Sequence, residues 1–152
     1  MLLKIAFCIF ISVSLINSYL DLKTMHISLV LNYAGLVICA ILYLLNSPER
    51  LLNHLLGGFI LFLVFLLAWK LSNKKLGWGD IHYSIFCGLM SGFPGFIFSA
   101  LIASFTGLAV FLFIKLFSST KEVTKVRIPF IPLMFAGTLC QLLFSDFFMR
   151  II

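Results

Sequence analysis

Residues 74–88, KKLGWGDIHYSIFCG, connect two lysines to a new apolar segment through Gly77-Trp78-Gly79-Asp80. The glycines on both sides of Trp78 let the backbone bend and approach other groups closely before a helix starts. A carboxylate at the mouth of a membrane helix is costly unless the protein uses it. An aspartate is also a favoured N-cap, because it accepts hydrogen bonds from the first free amides of a helix. Asp80 alone leaves both interpretations open.

The composition indicates a membrane protein. Of the 152 residues, 62% are hydrophobic and 18 are Phe, and the mean hydropathy is +1.18, whereas a soluble domain of this length carries far more charge. The net charge is +6, but without a long basic run or an aromatic-basic motif we expect no nucleic-acid partner. The cysteines form no CxxC pair, so we expect neither a zinc site nor a disulfide framework. They are Cys8, Cys39, Cys87 and Cys140.

Six apolar segments predict an all-α polytopic membrane protein, a bundle of six transmembrane helices in a single membrane-embedded domain over residues 1–152. The predicted spans are residues 2–20, 27–45, 51–69, 81–92, 96–117 and 128–148. The fourth is short for roughly 30 Å of hydrocarbon, so we expect local thinning of the bilayer, an irregular flanking piece or burial among the other helices. The first also fits a secretory signal cleaved after Ser18, although further spans follow and no clear cleavage site is present.

The basic residues predict the orientation of these spans. When six spans alternate, eight lysine and arginine residues fall on one side of the membrane, and three fall on the other side together with both termini. The positive-inside rule makes the first side cytoplasmic and puts both termini outside. The first set is Lys23, Lys70, Lys74, Lys75, Lys115, Lys121, Lys125 and Arg127, and the second is Lys4, Arg50 and Arg150. Asp21, which ends the first span, then lies at the same cytoplasmic boundary as Asp80.

Small or polar residues repeat at helical spacing from each of these two aspartates. They are Ser14, Asn17 and Ser18 before Asp21, and Ser84, Cys87, Gly88 and Ser91 after Asp80. Polar faces of membrane helices usually point into the bundle or a wet cavity. We therefore expect the two carboxylates to face one common site.

Two carboxylates held close together cannot both ionise easily, so one of them keeps a proton near neutral pH. The ionised member can take a proton from water while the protonated member polarises an amide carbonyl and later helps the amine to leave. This chemistry needs no metal, cofactor or covalent nucleophile. The three histidines form no HExxH motif, and no GxSxG is present. His26 and His82 lie near the aspartates in sequence; they either tune them or are ordinary solvated residues of the membrane interface.

Three motifs, in order along nearly the whole chain, resemble the type IV prepilin peptidases and preflagellin peptidases, which are GxGD-type membrane aspartic proteases. Residues 77–80 match the GxGD motif through Gly77, Gly79 and Asp80. Residues 21–27, DLKTMHI, are similar to the first aspartate of the family followed six residues later by Ile27. Residues 128–132, IPFIP, are similar to the IPFxP segment that opens the last helix, with Pro129 and Pro132 as its prolines.

The resemblance implies that Asp21 and Asp80 are the catalytic pair. It also implies that the protein lies in the cytoplasmic membrane of a prokaryote and cleaves the short basic leader of prepilin-like precursors at the cytoplasmic face. Two positions depart from the family pattern: Ser28 stands where Pro is usual after the isoleucine, and His82 where Lys is common. The cytoplasmic insertion with paired CxxC motifs that larger members carry is missing from the sequence, so we expect neither N-methyltransferase activity nor a zinc site.

Two other interpretations remain open. One is a GxGD enzyme that cuts within helices, although such enzymes have more spans and aspartates that lie deeper in their helices. The other is a non-enzymatic transport or scaffold subunit whose aspartates only cap helices. Replacing either aspartate by Asn separates these cases, because Asn still caps well.

Overall fold

The computed structural model describes residues 2–73, 76–117 and 129–145, and in these ranges it contains six α-helices. They are α1 (Leu2–Thr24), α2 (Leu29–Asn46), α3 (Pro48–Leu71), α4 (Trp78–Ser91), α5 (Gly95–Phe117) and α6 (Ile131–Leu143). The connections from α1 to α2, from α2 to α3 and from α4 to α5 are short, as is usual for neighbouring antiparallel helices. The all-helical architecture predicted from the sequence is therefore confirmed.

Four of the helices, α1, α2, α3 and α5, are long and apolar enough to cross a bilayer. The other two have 14 and 13 residues, or about 20 Å each at about 1.5 Å per residue. The six-span topology and the outside position of both termini thus stay predictions. Several basic residues of the orientation argument lie outside the described residues, as does the end of the predicted sixth span. They are Lys74, Lys75, Lys121, Lys125, Arg127 and Arg150.

Several helix boundaries differ from the predicted ones. Helix α1 continues through Asp21 to Thr24, so the aspartate lies within the last turns and not in a loop. Helix α3 begins at Pro48, which occupies the first turn as proline readily does, and the predicted loop shrinks to Ser47. Helix α4 begins at Trp78 with Gly77 as its N-cap. Asp80 is therefore not the N-cap that the simpler interpretation required.

Large apolar side chains cover the outside of the long helices, and polar ones lie within the bundle. Val30 is 82% exposed and Leu67 57%, whereas Asn17 and Asn32 are fully buried. This is the reverse of a soluble domain, in which polar residues are mostly exposed. It fits a bundle whose outer surface meets lipid, where helices associate through packing and polar contacts inside.

Helices α3 and α4 form the closest pair, because glycines face each other along the contact. A Cβ atom placed on Gly57 would lie 2.6 Å from the carbonyl oxygen of Gly88, and one on Gly58 would lie 2.9 Å from that of Ile85. The two backbones approach as small residues permit in membrane helices. This contact fixes α4 against the longer α3 and so sets the height of Asp80 in the bundle.

The centre of the bundle is aromatic. Phe10 of α1 contacts Phe86 of α4 edge to face, with 5.1 Å between ring centroids, and Phe135 of α6 at 5.8 Å. All three helices that carry the candidate site thus meet at one point in the core.

Candidate active site

The end of α1, the start of α4 and the start of α6 come together at one end of the bundle, and each contributes to the candidate site. Asp21 is 6% exposed and Asp80 is 9% exposed. The polar residues one to two turns from Asp21, namely Ser14, Asn17 and Ser18, are buried, as are Ser84 and Cys87 after Asp80. The prediction that both polar faces point into the bundle is confirmed.

Asp21 is held by the backbone of α6. Its Oδ2 atom accepts a hydrogen bond from the Ile131 amide at 3.1 Å, across 110 positions of the chain. The backbone of Phe130 also hydrogen-bonds to this carboxylate. Amides at the start of a helix have no partner within that helix, so an acceptor from elsewhere satisfies them.

Asp80 lies in the first turn of α4, outside the four membrane-length helices. The Gly77 backbone hydrogen-bonds to its carboxylate, and a Cβ atom on Gly77 would lie 2.9 Å from Asp80 Oδ2. A side chain at position 77 would therefore displace the carboxylate. This contact explains why the first position of the motif is glycine.

The second glycine of the motif has a different neighbour. A Cβ atom on Gly79 would lie 3.2 Å from Cγ1 of Ile27, the residue six positions after Asp21. Ile27 thus packs against the start of α4 and connects the two motifs that carry the aspartates. Ser28, which replaces the usual proline, caps α2 through a 3.3 Å bond from the Leu31 amide to its side-chain oxygen.

Burial and the charge of Asp21 together raise the pKa of Asp80 to about 7, and burial has the larger effect. The hydrogen bond from Gly77 acts in the opposite direction and is weaker. The two carboxylates therefore lie close enough to influence each other, and near neutral pH the pair can share one proton. An acid and a base side by side are the requirement for general acid–base hydrolysis.

The two histidines lie in different surroundings. His26 follows α1 and interacts electrostatically with Asp21. His82 lies on another face of α4, where its Nδ1 atom hydrogen-bonds to the Tyr33 hydroxyl and its ring contacts Trp78 at 5.1 Å. The carbonyl oxygen of His82 accepts a bond from Asn32. These contacts join α2 to α4, and a tuning role for either histidine stays a prediction.

The last helix begins three residues later than predicted, at Ile131 and not at residue 128. Pro129 precedes the helix, and Pro132 lies in the first turn of α6. The bond from Ile131 to Asp21 was not predicted. One signal was available, however: residues 129–132 contain no Ser, Thr, Asp or Asn to cap the helix, so the cap had to come from elsewhere.

Comparison with known proteins identifies a family for most of the chain. A model of the type IV leader peptidase family matches residues 8–112, a range that includes both aspartates and the GxGD motif but ends before Pro129. No curated protein and no solved structure matches the chain. The family match spans more than half of the chain. The chain belongs to the type IV leader peptidase family, and it is a protease with several apolar, membrane-length helices.

Proposed function

We propose that the protein is a membrane aspartic endopeptidase that removes the short basic leader from prepilin-like, pseudopilin-like or preflagellin-like precursors. Asp21 and Asp80 are the catalytic pair. The observation that carries this proposal is the buried pair itself. Burying Asp80 beside the charge of Asp21 costs free energy, and folding alone does not require that cost. Membership of the leader peptidase family supports the substrate class.

The reaction follows from one shared proton. The ionised carboxylate takes a proton from a water molecule, whose oxygen attacks the carbonyl carbon of the scissile peptide. The protonated carboxylate gives its proton to the carbonyl oxygen, which forms a tetrahedral diol. Transfer of a proton to the amide nitrogen then breaks the C–N bond. The pair returns to its starting state, so neither a metal ion nor a covalent intermediate is needed.

We further propose that the site faces the cytoplasm, at the cytoplasmic membrane of a prokaryote. The leader then reaches the aspartates from the basic side of the protein, while the hydrophobic helix of the precursor stays in the bilayer. Cleavage after a glycine, as the family resemblance implies, would put the new N-terminus at the membrane surface. The new amine is expected to stay unmethylated, which mass spectrometry of the product tests directly.

One specific observation favours a non-enzymatic role. Asp21 does cap a helix, since it satisfies the start of α6. Asp80 also accepts a backbone hydrogen bond at the start of a helix, from Gly77, the N-cap residue of α4. Capping alone, however, does not require two carboxylates to be buried beside each other, which costs free energy.

Co-expression with a prepilin-like precursor tests the proposal, with processing scored as a shift in gel mobility. The D21N and D80N variants keep their hydrogen-bonding capacity but lose the acid–base chemistry. Each is expected to lower processing by at least about 10³-fold. The matched control is E49Q, at an exposed glutamate in the first turn of α3, which is expected to process normally. Normal cleavage by both D21N and D80N would refute the proposal.

A further inference from the structure

Among the described residues, the start of α6 has two amide donors that find no acceptor within the helix itself. The helix has no side-chain cap, and Pro132 has no N–H group to donate. The amides of Leu133 and Met134 both donate to the Phe130 carbonyl. This leaves the amides of Phe130 and Ile131, and the backbone at both positions bonds to the Asp21 carboxylate.

The surroundings of the two carboxylates are therefore unequal. Asp21 receives two backbone bonds from a separate helix, whereas Asp80 receives one from its own N-cap, Gly77. Both carboxylates lie beside the N-terminus of a helix, which favours their ionised forms. Asp21 also lies in the last turn of α1, whose dipole acts in the opposite direction, but this effect is weaker than a hydrogen bond to a charged group. Bonds from amide N–H groups favour the charged form of a carboxylate, and the second bond gives Asp21 the advantage.

Few other charges act on Asp21 among the described residues. Asp80 faces it from α4, and His26 interacts with it from the connection after α1. Helix α6 contacts Asp21 through its backbone amides. Lys23, two residues further on, is turned over the ring of Tyr19 at 5.8 Å. The start of α6 is thus the direct partner of this carboxylate.

We propose that the first turn of α6 is a positioning element that holds Asp21 ionised and directed at the site, so that Asp21 is the base and Asp80 is the acid. This assignment rests on the proposed function. Asp21 takes the proton from water as the water oxygen bonds to the carbonyl carbon, and Asp80 protonates the carbonyl oxygen. When the C–N bond breaks, the nitrogen receives the proton held by Asp21. Asp80 recovers its own proton from a hydroxyl of the diol, which becomes the product carboxyl group.

Carboxyl carbon NMR tests the order of ionisation in the intact protein. The chain contains three aspartates, Asp21, Asp80 and Asp146, so labelling Asp at Cγ gives three signals in detergent micelles. The D21N, D80N and D146N variants assign them. The pair is expected to titrate in two steps. The Asp21 carboxyl signal should change more in the step at lower pH, and the Asp80 signal should change more in the step near neutral pH. The reverse order would overturn the assignment.

Removing one amide donor tests whether the start of α6 is what keeps Asp21 ionised. Cell-free synthesis with a hydroxy acid at position 131 replaces the Ile131 N–H by an ester oxygen and keeps the side chain. We expect the Asp21 midpoint, and the acidic limb of kcat/KM, to move up by about one pH unit. The matched control is an ester at Met134, whose amide bonds to the Phe130 carbonyl at 3.0 Å. It should lower stability and leave that midpoint in place.

Two outcomes of this comparison would overturn the inference: an unchanged midpoint in the Ile131 ester, or an equal shift in both esters. If the Ile131 ester does not fold, the order of ionisation in the unmodified protein still decides. The titration uses no substrate, so its failure is distinct from a failure of the proposed function, which loss of cleavage in D21N and D80N tests.

Discussion

Replacing Asp80 by Asn should make the protein more stable relative to wild type as the pH rises. The pKa of Asp80 is about 7 in the folded protein against an ordinary value of 3.8, so the folded state binds this proton more tightly than the unfolded chain does. The resulting contribution to stability is complete below about pH 4 and is lost as the pH rises to about 7. The amide side chain of the D80N variant does not titrate, so the variant has no such contribution to lose.

The size of the effect follows from the same two pKa values. Each pH unit between them corresponds to about 1.4 kcal/mol, or about 4 kcal/mol in total. Between pH 5 and pH 8 the part that wild type loses is about 2–3 kcal/mol. For a chain of this size, that difference corresponds to a change of roughly 5–10 °C in Tm.

Thermal unfolding in detergent, followed by circular dichroism, measures this directly. The Tm of D80N minus the Tm of wild type is the relevant quantity, and it should rise from pH 5 to pH 8. E49Q is the control, because Glu49 is exposed, and its difference from wild type should be the same at both pH values. A difference for D80N that stays constant, or that falls with rising pH, would refute both the burial and the coupling argued for this carboxylate.

Three further predictions follow from single contacts. G77A should lower precursor cleavage by about 10–10²-fold with little change in Tm, because the new methyl group displaces the Asp80 carboxylate; unchanged cleavage would contradict this contact. G57A should instead lower the Tm by several degrees, because its Cβ atom meets the carbonyl oxygen of Gly88, and the same melting assay would contradict the close α3–α4 approach if the Tm stayed unchanged. D21A should be less stable than D21N by about 1–2 kcal/mol, since Asn still accepts from the start of α6; equal stability in denaturant titrations would mean that the cap contributes little.

The sequence predicted the helices well because apolar length is a strong signal. The burial of the polar residues that repeat at helical spacing from the two aspartates was also predicted correctly: Ser14, Asn17 and Ser84 are all buried. The two glycines of the GxGD motif were predicted to allow close approach, and the structure identifies what approaches. The Asp80 carboxylate meets Gly77, and Ile27 meets Gly79.

Helix ends and long-range contacts were harder to predict. The first span was predicted to end at Asp21, but the contact with Ile131 satisfies this carboxylate inside the bundle, and α1 continues past it to Thr24. The predicted start of the last helix was wrong by three residues for a related reason: the local sequence did not reveal which residue caps α6. His82 lies two residues from Asp80, yet two positions along a helix turn the side chain to a different face.

The bond between Asp21 and the start of α6 bears on how a complex with precursor should be captured. An inactive form that leaves the uncleaved peptide in place is the usual route to such a complex. Removing the Asp21 side chain would release the anchor of the last helix, so the resulting pocket would differ from the native one. D80N leaves that anchor intact and is therefore the better form in which to trap the uncut precursor.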